Sequence, residues 1–451
     1  MFGILKAAPS QTRISDAGVI DSQYKYWRVR ILYSMWLGYA IFYFTRNCLQ
    51  YALPIMQKDL HLAYTQIGLI FTIFSIVYGV SKFFSGTMSD RSSPRYFMAF
   101  GLIITGFLDI IFGLSSSLFL FVSAWLINAF FQGWGWPPCA RLLTHWYSQA
   151  ERGFWWGLWN TCHNVGGFAI ALIVPIAISL WNWRAGMIIP GVIGILMGLF
   201  MINRLRDVPT SMGLPPVEEY KNDYPIGKKA FEKSRTPPMM EILRKYVLAN
   251  PYMWLLGLAY AMVYVVRQAF YTWGTVYLFQ HLHFSLFNSD FAGGLFEIGG
   301  LLGSLVAGIL SDRLFSSRRG PMNVIYCLGM LAVVLVFWLF AGTNYLANVV
   351  IIFCLGFVVF GPQMLVGMSA AELSHREAAG ASTGFAALFA YLGAALAGYP
   401  LGLVLTYWGW PGFFIILAVC SLIATVLLAF TWHAKSHPKL RDEIQLEEAI
   451  N

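Results

Sequence analysis

Two tetrapeptides pose the chemical problem of this chain. "YFTR", residues 43–46, and "YVVR", residues 264–267, each set an arginine near the middle of a long apolar run. An arginine at bilayer depth costs roughly 2.5–3.5 kcal/mol even on lenient insertion scales. Two such guanidiniums facing one cavity would form a clamp for an oxyanion, because the planar fork donates paired hydrogen bonds to phosphate or carboxylate. Tyr43 and Tyr264 lie three residues before Arg46 and Arg267, on the same helical faces, and can donate to the same anion. The competing account pairs each arginine with an intramembrane carboxylate. Asp109 and Glu297 are the carboxylates read at that depth, against the three cations Arg46, Lys82 and Arg267.

The remaining candidates divide between chemistry and packing. Lys82, in "VYGVSKFF", either keeps an anion's path open or snorkels to the interface. Glu297, in "GLFEIGG", either relays a proton or neutralises Lys82 or Arg267 in an empty site. His163, in "WNTCHNVGGFA", is read by itself as a packing residue, although an imidazole that titrates near neutrality would also suit phosphate. "QGWGWPPCAR" (132–141) puts Gly and Pro inside a span and reads as a bend rather than a binding element. The six cysteines sit in apolar runs without metal-binding spacing. No nucleophile–base pair, phosphate-cradling glycine loop or metal cluster is legible, so an enzyme is not expected, nor is a cofactor.

The elements that carry these residues are membrane spans. Hydrophobic residues make up 58% of the chain and charged ones 11%, well below the quarter or so of a soluble domain. Apolar windows of about 20 residues predict an all-α membrane protein with twelve spans. They lie near 29–54, 63–88, 95–115, 118–144, 153–180, 184–203, 250–279, 286–310, 321–341, 346–370, 378–406 and 410–432. The polar, basic N-terminal residues lack the pattern of a cleaved leader. Of the 30 Lys and Arg, three lie within spans, and Lys58 and Arg184 fall on the side opposite the termini. The rest share the face of the termini and central linker, which the positive-inside rule makes cytoplasmic. The net charge of +9 is therefore topological and implies no nucleic-acid partner.

The two halves repeat. Arg46 and Arg267 are 221 residues apart; Asp90 of "GTMSDRSSPR" and Asp312 of "GILSDRLFSSRRG" are 222 apart. The expected organisation is a cytoplasmic segment 1–28, a six-helix half 29–205, a cytoplasmic linker 206–247, a second half 248–433 and a cytoplasmic tail 434–451. Such duplicated halves place a substrate site near the midplane. Asp90, Arg91 and Arg95 in one loop, and Asp312 and Arg313 in the other, read as parts of a cytoplasmic gate.

The duplicated G-x-x-S-D-R loops resemble the major facilitator superfamily. "GYAIFYFTRN", "YGVSKFFSGTMSDRSSPR", "FFQGWGWPPCARLL", "ERGFWWGLWNTCHNVGG", "GLPPVEEYKNDYP", "VYVVR" and "VFGPQMLVGMSAAE" resemble its organophosphate:phosphate antiporters. The likeness spans essentially all twelve helices and is strongest to the hexose-phosphate transporter and receptor-transporter branch.

The resemblance implies a fold of two pseudo-symmetric six-helix halves. It lays the family's phosphate-binding arginines on Arg46 and Arg267, its substrate-linked histidine on His163 and its second-helix lysine on Lys82. Tyr39, Tyr43, Tyr78, Tyr264, Asn160 and Tyr391 match polar pore positions. Asn47 departs from the lysine frequent after the first arginine. Thr383 and Ala386 replace charged residues of hexose-phosphate exchangers. The implied activity is import of a sugar phosphate, glucose-6-phosphate first, against inorganic phosphate. A hexose-phosphate sensor signalling to a membrane kinase and a glycerol-3-phosphate exchanger are the alternatives. A monomer in the inner membrane is expected.

Overall fold

A computed structural model describes residues 5, 6, 8–90, 92–223, 243–316, 318–342, 344–374 and 379–434. Among them the only extended pairing is a single bridge, between Lys6 and Ser92; the other regular elements of the described residues are helices. The first seven helices are α1 (Ala17–Leu60), α2 (Tyr64–Asp90), α3 (Pro94–Leu114), α4 (Leu118–Gln132), α5 (Trp136–Trp146), α6 (Gln149–Leu180) and α7 (Ala185–Arg204). After the linker come α8 (Pro251–Val276), α9 (Leu286–Phe315), α10 (Arg319–Phe340), α11 (Tyr345–Glu372), α12 (Ala379–Leu396) and α13 (Tyr399–Ala429).

Ten runs among the described residues are long and apolar enough to cross a membrane. The last, Gly380–Ala429, has 50 residues, about 75 Å of helix against a hydrocarbon core of about 30 Å. Its helical geometry breaks at Gly409, whose φ of 61° and ψ of −159° are open to glycine, and Pro411 follows. That break separates the two spans expected there. The first expected span, 29–54, lies inside the 44-residue α1, which is not among the ten. Arg46, Asn47 and Gln50 lower its apolarity. The expected fourth span is two helices, α4 and α5, interrupted between Gly133 and Gly135.

The described chain forms two compact units. One holds residues up to 223 together with Tyr271–Ile298; the other holds 243–270 and Gly299 onward. In the first unit, Tyr24, Trp146 and Trp159 are fully buried in one apolar core. Tyr24 stacks on Tyr220 at 3.9 Å. The Tyr220 hydroxyl donates to Asp21 at 2.6 Å, and Lys25 pairs with the same carboxylate at 2.7 Å. Lys25, and then Tyr220, hold the Asp21 carboxyl below its ordinary value. The stretch 271–298 joins this unit through α1. Pro54 has no N–H to give the carbonyl of Gln50 four residues earlier, and Thr275 Oγ1 donates to that carbonyl at 2.9 Å. Gln280 Nε2 donates to the Pro54 carbonyl at 3.3 Å and to Gln57 Oε1 at 3.2 Å.

In the second unit α9 crosses α11 with almost no side chain between them. A Cβ on Gly303 would lie 1.9 Å from the Phe357 carbonyl oxygen, and one on Gly299 would lie 2.1 Å from that of Phe353. Small residues four apart allow this approach, as is usual where membrane helices touch backbone to backbone.

Candidate anion-binding site

Arg46 is held on three sides by neutral groups. Its Nε and Nη2 both donate to Gln132 Oε1, each at 3.3 Å. Its Cζ lies 4.7 Å from the Tyr43 ring centroid and 4.6 Å from that of Tyr78. Aromatic faces attract a guanidinium while leaving it cationic. Lys82 Nζ lies 5.3 Å from the Tyr78 ring, and the His163 ring stacks on Tyr43 at 5.7 Å. Tyr39 packs 5.9 Å from Tyr43 and 5.1 Å from Trp159. The first unit thus brings Arg46, Lys82, His163, Tyr39, Tyr43 and Tyr78 into one cluster. Asn160 is exposed on α6, one turn from His163.

Asp109 is fully buried, and its partners are neutral rather than cationic. Asn128 Nδ2 donates to Oδ1 at 2.8 Å and Cys48 Sγ approaches Oδ2 at 3.7 Å. Glu297 is also fully buried. Asn164 Nδ2 donates to its Oε2 and to its backbone carbonyl, both at 3.1 Å, and Tyr271 Oη donates to Oε1. A Cβ on Gly167 would lie 2.7 Å from Oε1, so this glycine makes room for the carboxylate, while its neighbour Gly166 admits the Ala40 backbone, whose carbonyl oxygen would lie 2.4 Å from a Cβ there. A third carboxyl, Asp290, is fully buried seven residues before Glu297, on the same face of α9. Neither of its oxygens has a hydrogen-bond partner among the described residues. The sequence reading missed it because it falls near the start of its span.

The second unit repeats the arrangement in kind. Arg267 Cζ lies 5.4 Å from the Tyr264 ring and 5.0 Å from the Phe360 ring. Tyr264 meets Tyr260 edge-on at 4.9 Å and Tyr391 at 6.2 Å. Tyr260 Oη donates to the Gln363 carbonyl at 2.8 Å. Tyr260 was not singled out from the sequence, but the repeat could have found it. Tyr39, Tyr43 and Arg46 follow the same i, i+4, i+7 spacing as Tyr260, Tyr264 and Arg267.

Of the residues expected at a cytoplasmic gate, Arg91 and the side chain of Asp90 lie outside the described residues. Arg95 Nε donates to the Ile202 carbonyl and its guanidinium lies 4.8 Å over Tyr96, so it ties α3 to α7. Asp312 pairs with Arg319 at 2.6 Å, and Arg319 pairs with Glu372 at 3.1 Å. Arg313 is exposed. The sequence offers the later arginines of the "GILSDRLFSSRRG" loop only as a group with the repeated tripeptide, and Glu372 escapes it.

Fold and chemistry define a polytopic, all-helical membrane protein with the major facilitator fold. The family model of the Major Facilitator Superfamily matches residues 35–398. A "Probable hexose phosphate transport protein" of Chlamydia trachomatis is 50% identical over 433 residues, 93% of this chain and 94% of that protein. The "Membrane sensor protein UhpC" of Escherichia coli is 50% identical over 429 residues, 95% of this chain and 97% of that one. The crystal structure of a bacterial homologue of the human lysosomal transporter Spinster shares the fold at a TM-score of 0.70 and 16% identity. That match covers 90% of this chain and 95% of the other. The chain belongs to the Major Facilitator Superfamily, a family of membrane transporters rather than enzymes, and within it to the organophosphate:phosphate antiporter branch.

Proposed function

We propose that this protein imports a sugar phosphate, glucose-6-phosphate first among them, across the inner membrane in exchange for inorganic phosphate. The observation that carries the reading is Arg46 held by an amide and two tyrosine rings beside Lys82 and His163. Partners of this kind orient a guanidinium without cancelling its charge, which suits a dianionic phosphoryl group. Arg267, with Tyr264 and Tyr391, is the matching half of the clamp in this proposal, and Asn160 adds a neutral contact. Both substrates carry the same phosphoryl group, so one site exposed to each side in turn serves both. The anion stabilises the occluded state between the halves 29–205 and 248–433, and exchange follows when the empty site rocks slowly. Likeness in name and sequence to the chlamydial protein favours a hexose phosphate.

The test is counterflow in proteoliposomes. Labelled glucose-6-phosphate should enter vesicles loaded with phosphate, enter phosphate-free vesicles far more slowly, and be unaffected by equimolar free glucose. Uptake driven by a pH gradient into phosphate-free vesicles would overturn the exchange mechanism. Competition by glucose would show that the sugar, and not the phosphoryl group, dominates recognition.

A second reading has its own support, since identity to the Escherichia coli sensor equals that to the transport protein. A sensor would bind sugar phosphate with the same residues, signal to a membrane kinase and show little counterflow.

Both termini and the linker are placed in the cytoplasm by the loop charge bias. Cysteines introduced at Lys58 and Lys221 should react with an impermeant maleimide from opposite faces of the membrane. Reaction of both from one face would overturn the orientation.

A further inference from the structure

Gln132 ends α4, and the chain around it is pinned. The helix stops where Gly133 and Gly135 interrupt it, and its last carbonyls accept tightened i+3 backbone bonds, from Gly133 N to Phe130 at 3.3 Å and from Trp134 N to Phe131 at 3.0 Å. Ser81 Oγ of α2 donates to the Phe130 carbonyl, and Ser85 Oγ donates to that of Gly133 at 2.7 Å. The break is thereby fastened to the helix that bears Tyr78 and Lys82. Gln132 itself is 1% exposed. Its amide is oriented from both ends: Nε2 donates to Thr45 Oγ1 at 2.9 Å, while Oε1 accepts from Arg46 Nε and Nη2. Thr45 Oγ1 in turn lies 3.3 Å from Thr105 Oγ1. A flipped amide would turn its N–H groups toward the guanidinium, so the hydrogen bonds select this orientation.

We infer that Gln132 is a positioning residue for anion recognition, fixing the Nε/Nη2 edge of Arg46 through an acceptor that carries no charge of its own. The inference rests on the reading of Arg46 as an anion ligand, but not on whether the protein transports or senses. A neutral amide and a carboxylate have nearly the same shape, so charge is the variable that separates them. Glutamate here would pair with Arg46 inside the protein, where ionic attraction is strong, and the anion would have to compete with it. Leucine would remove the acceptor, freeing the guanidinium to turn and leaving Thr45 without its amide partner.

The experiment is titration of purified full-length protein with inorganic phosphate and with glucose-6-phosphate, for wild type, Gln132→Glu and Gln132→Leu. Thermal melting is recorded without ligand and at saturating phosphate. Gln132→Glu is expected to weaken binding of both anions about ten- to hundredfold, the worth of a charge-assisted hydrogen bond. Its ligand-free melting temperature should be at or above that of wild type, because the new ion pair adds cohesion. Gln132→Leu should weaken binding by less while lowering the melting temperature. A merely structural role predicts the reverse pattern, with melting lowered in both variants and dissociation constants unchanged. Gln132→Glu with wild-type affinity would overturn the proposal. Loss of counterflow by a wild type that binds phosphate would strike the antiport reading alone, and wild type that binds neither anion would sink both.

Discussion

Arg46→Lys and Arg267→Lys should each abolish most phosphate–phosphate exchange in proteoliposomes, although each conserves charge. Lysine loses the planar fork, so a paired contact with a phosphoryl group becomes a single point. One charge-assisted hydrogen bond is worth about 1.5–3 kcal/mol, and losing it should weaken binding roughly ten- to a hundredfold. The surroundings sharpen the expectation at position 46. Gln132 Oε1 accepts from two nitrogens of the guanidinium, and its Cζ lies over two tyrosine rings at 4.7 and 4.6 Å. An ammonium has one nitrogen and no plane. At position 267, the Tyr264 and Phe360 rings lie 5.4 and 5.0 Å from Cζ in the same manner. Both variants should insert normally, because lysine and arginine cost about the same in a span. Exchange is to be normalised to folded protein. Near-normal rates for both lysine variants would refute the two-arginine clamp and return the arginines to a structural role.

Gly303→Val should leave little folded protein, whereas Gly367→Ala should be nearly silent. At 303 a Cβ would lie 1.9 Å from the Phe357 carbonyl oxygen and 2.6 Å from its carbonyl carbon. The obstacle is backbone, so no rotamer change relieves it, and α9 and α11 must separate along their contact. Overpacking a well-packed interior costs about 1–3 kcal/mol, and more where main chain must shift. Gly303→Ala should therefore already lower the melting temperature. A Cβ on Gly367 would meet nothing within 4 Å, although it sits on the same α11. Monodisperse yield in detergent and thermal melting decide the matter. Equal behaviour of Gly303→Val and Gly367→Ala would mean that α9 and α11 do not cross as described.

The sequence by itself determined what depends on neighbours along the chain. Span positions follow from apolarity over about 20 residues, and the interruption after Gln132 follows from its glycines and prolines. The polarity of the first span, which keeps α1 out of the ten most apolar runs, marked it as a chemical element before any contact was known. Helical periodicity put Tyr43 on the face of Arg46 and Tyr264 on that of Arg267. The internal repeat made the second arginine a counterpart of the first.

Only the tertiary structure decided which polar groups meet across helices. Gln132 reaches Arg46 from 86 positions away, and the stretch that carries it had been read as a bend alone. Asn164 meets Glu297 across 133 positions, and Arg319 meets Glu372 across 53. Asp109, a candidate partner for an arginine, lies against Asn128 and Cys48 instead. A polar residue inside an apolar run reveals that it needs a partner, since burying it alone is costly. It does not reveal which partner, because that choice depends on the rotation and depth at which separate helices pack, and neither is encoded in the local run that makes each helix.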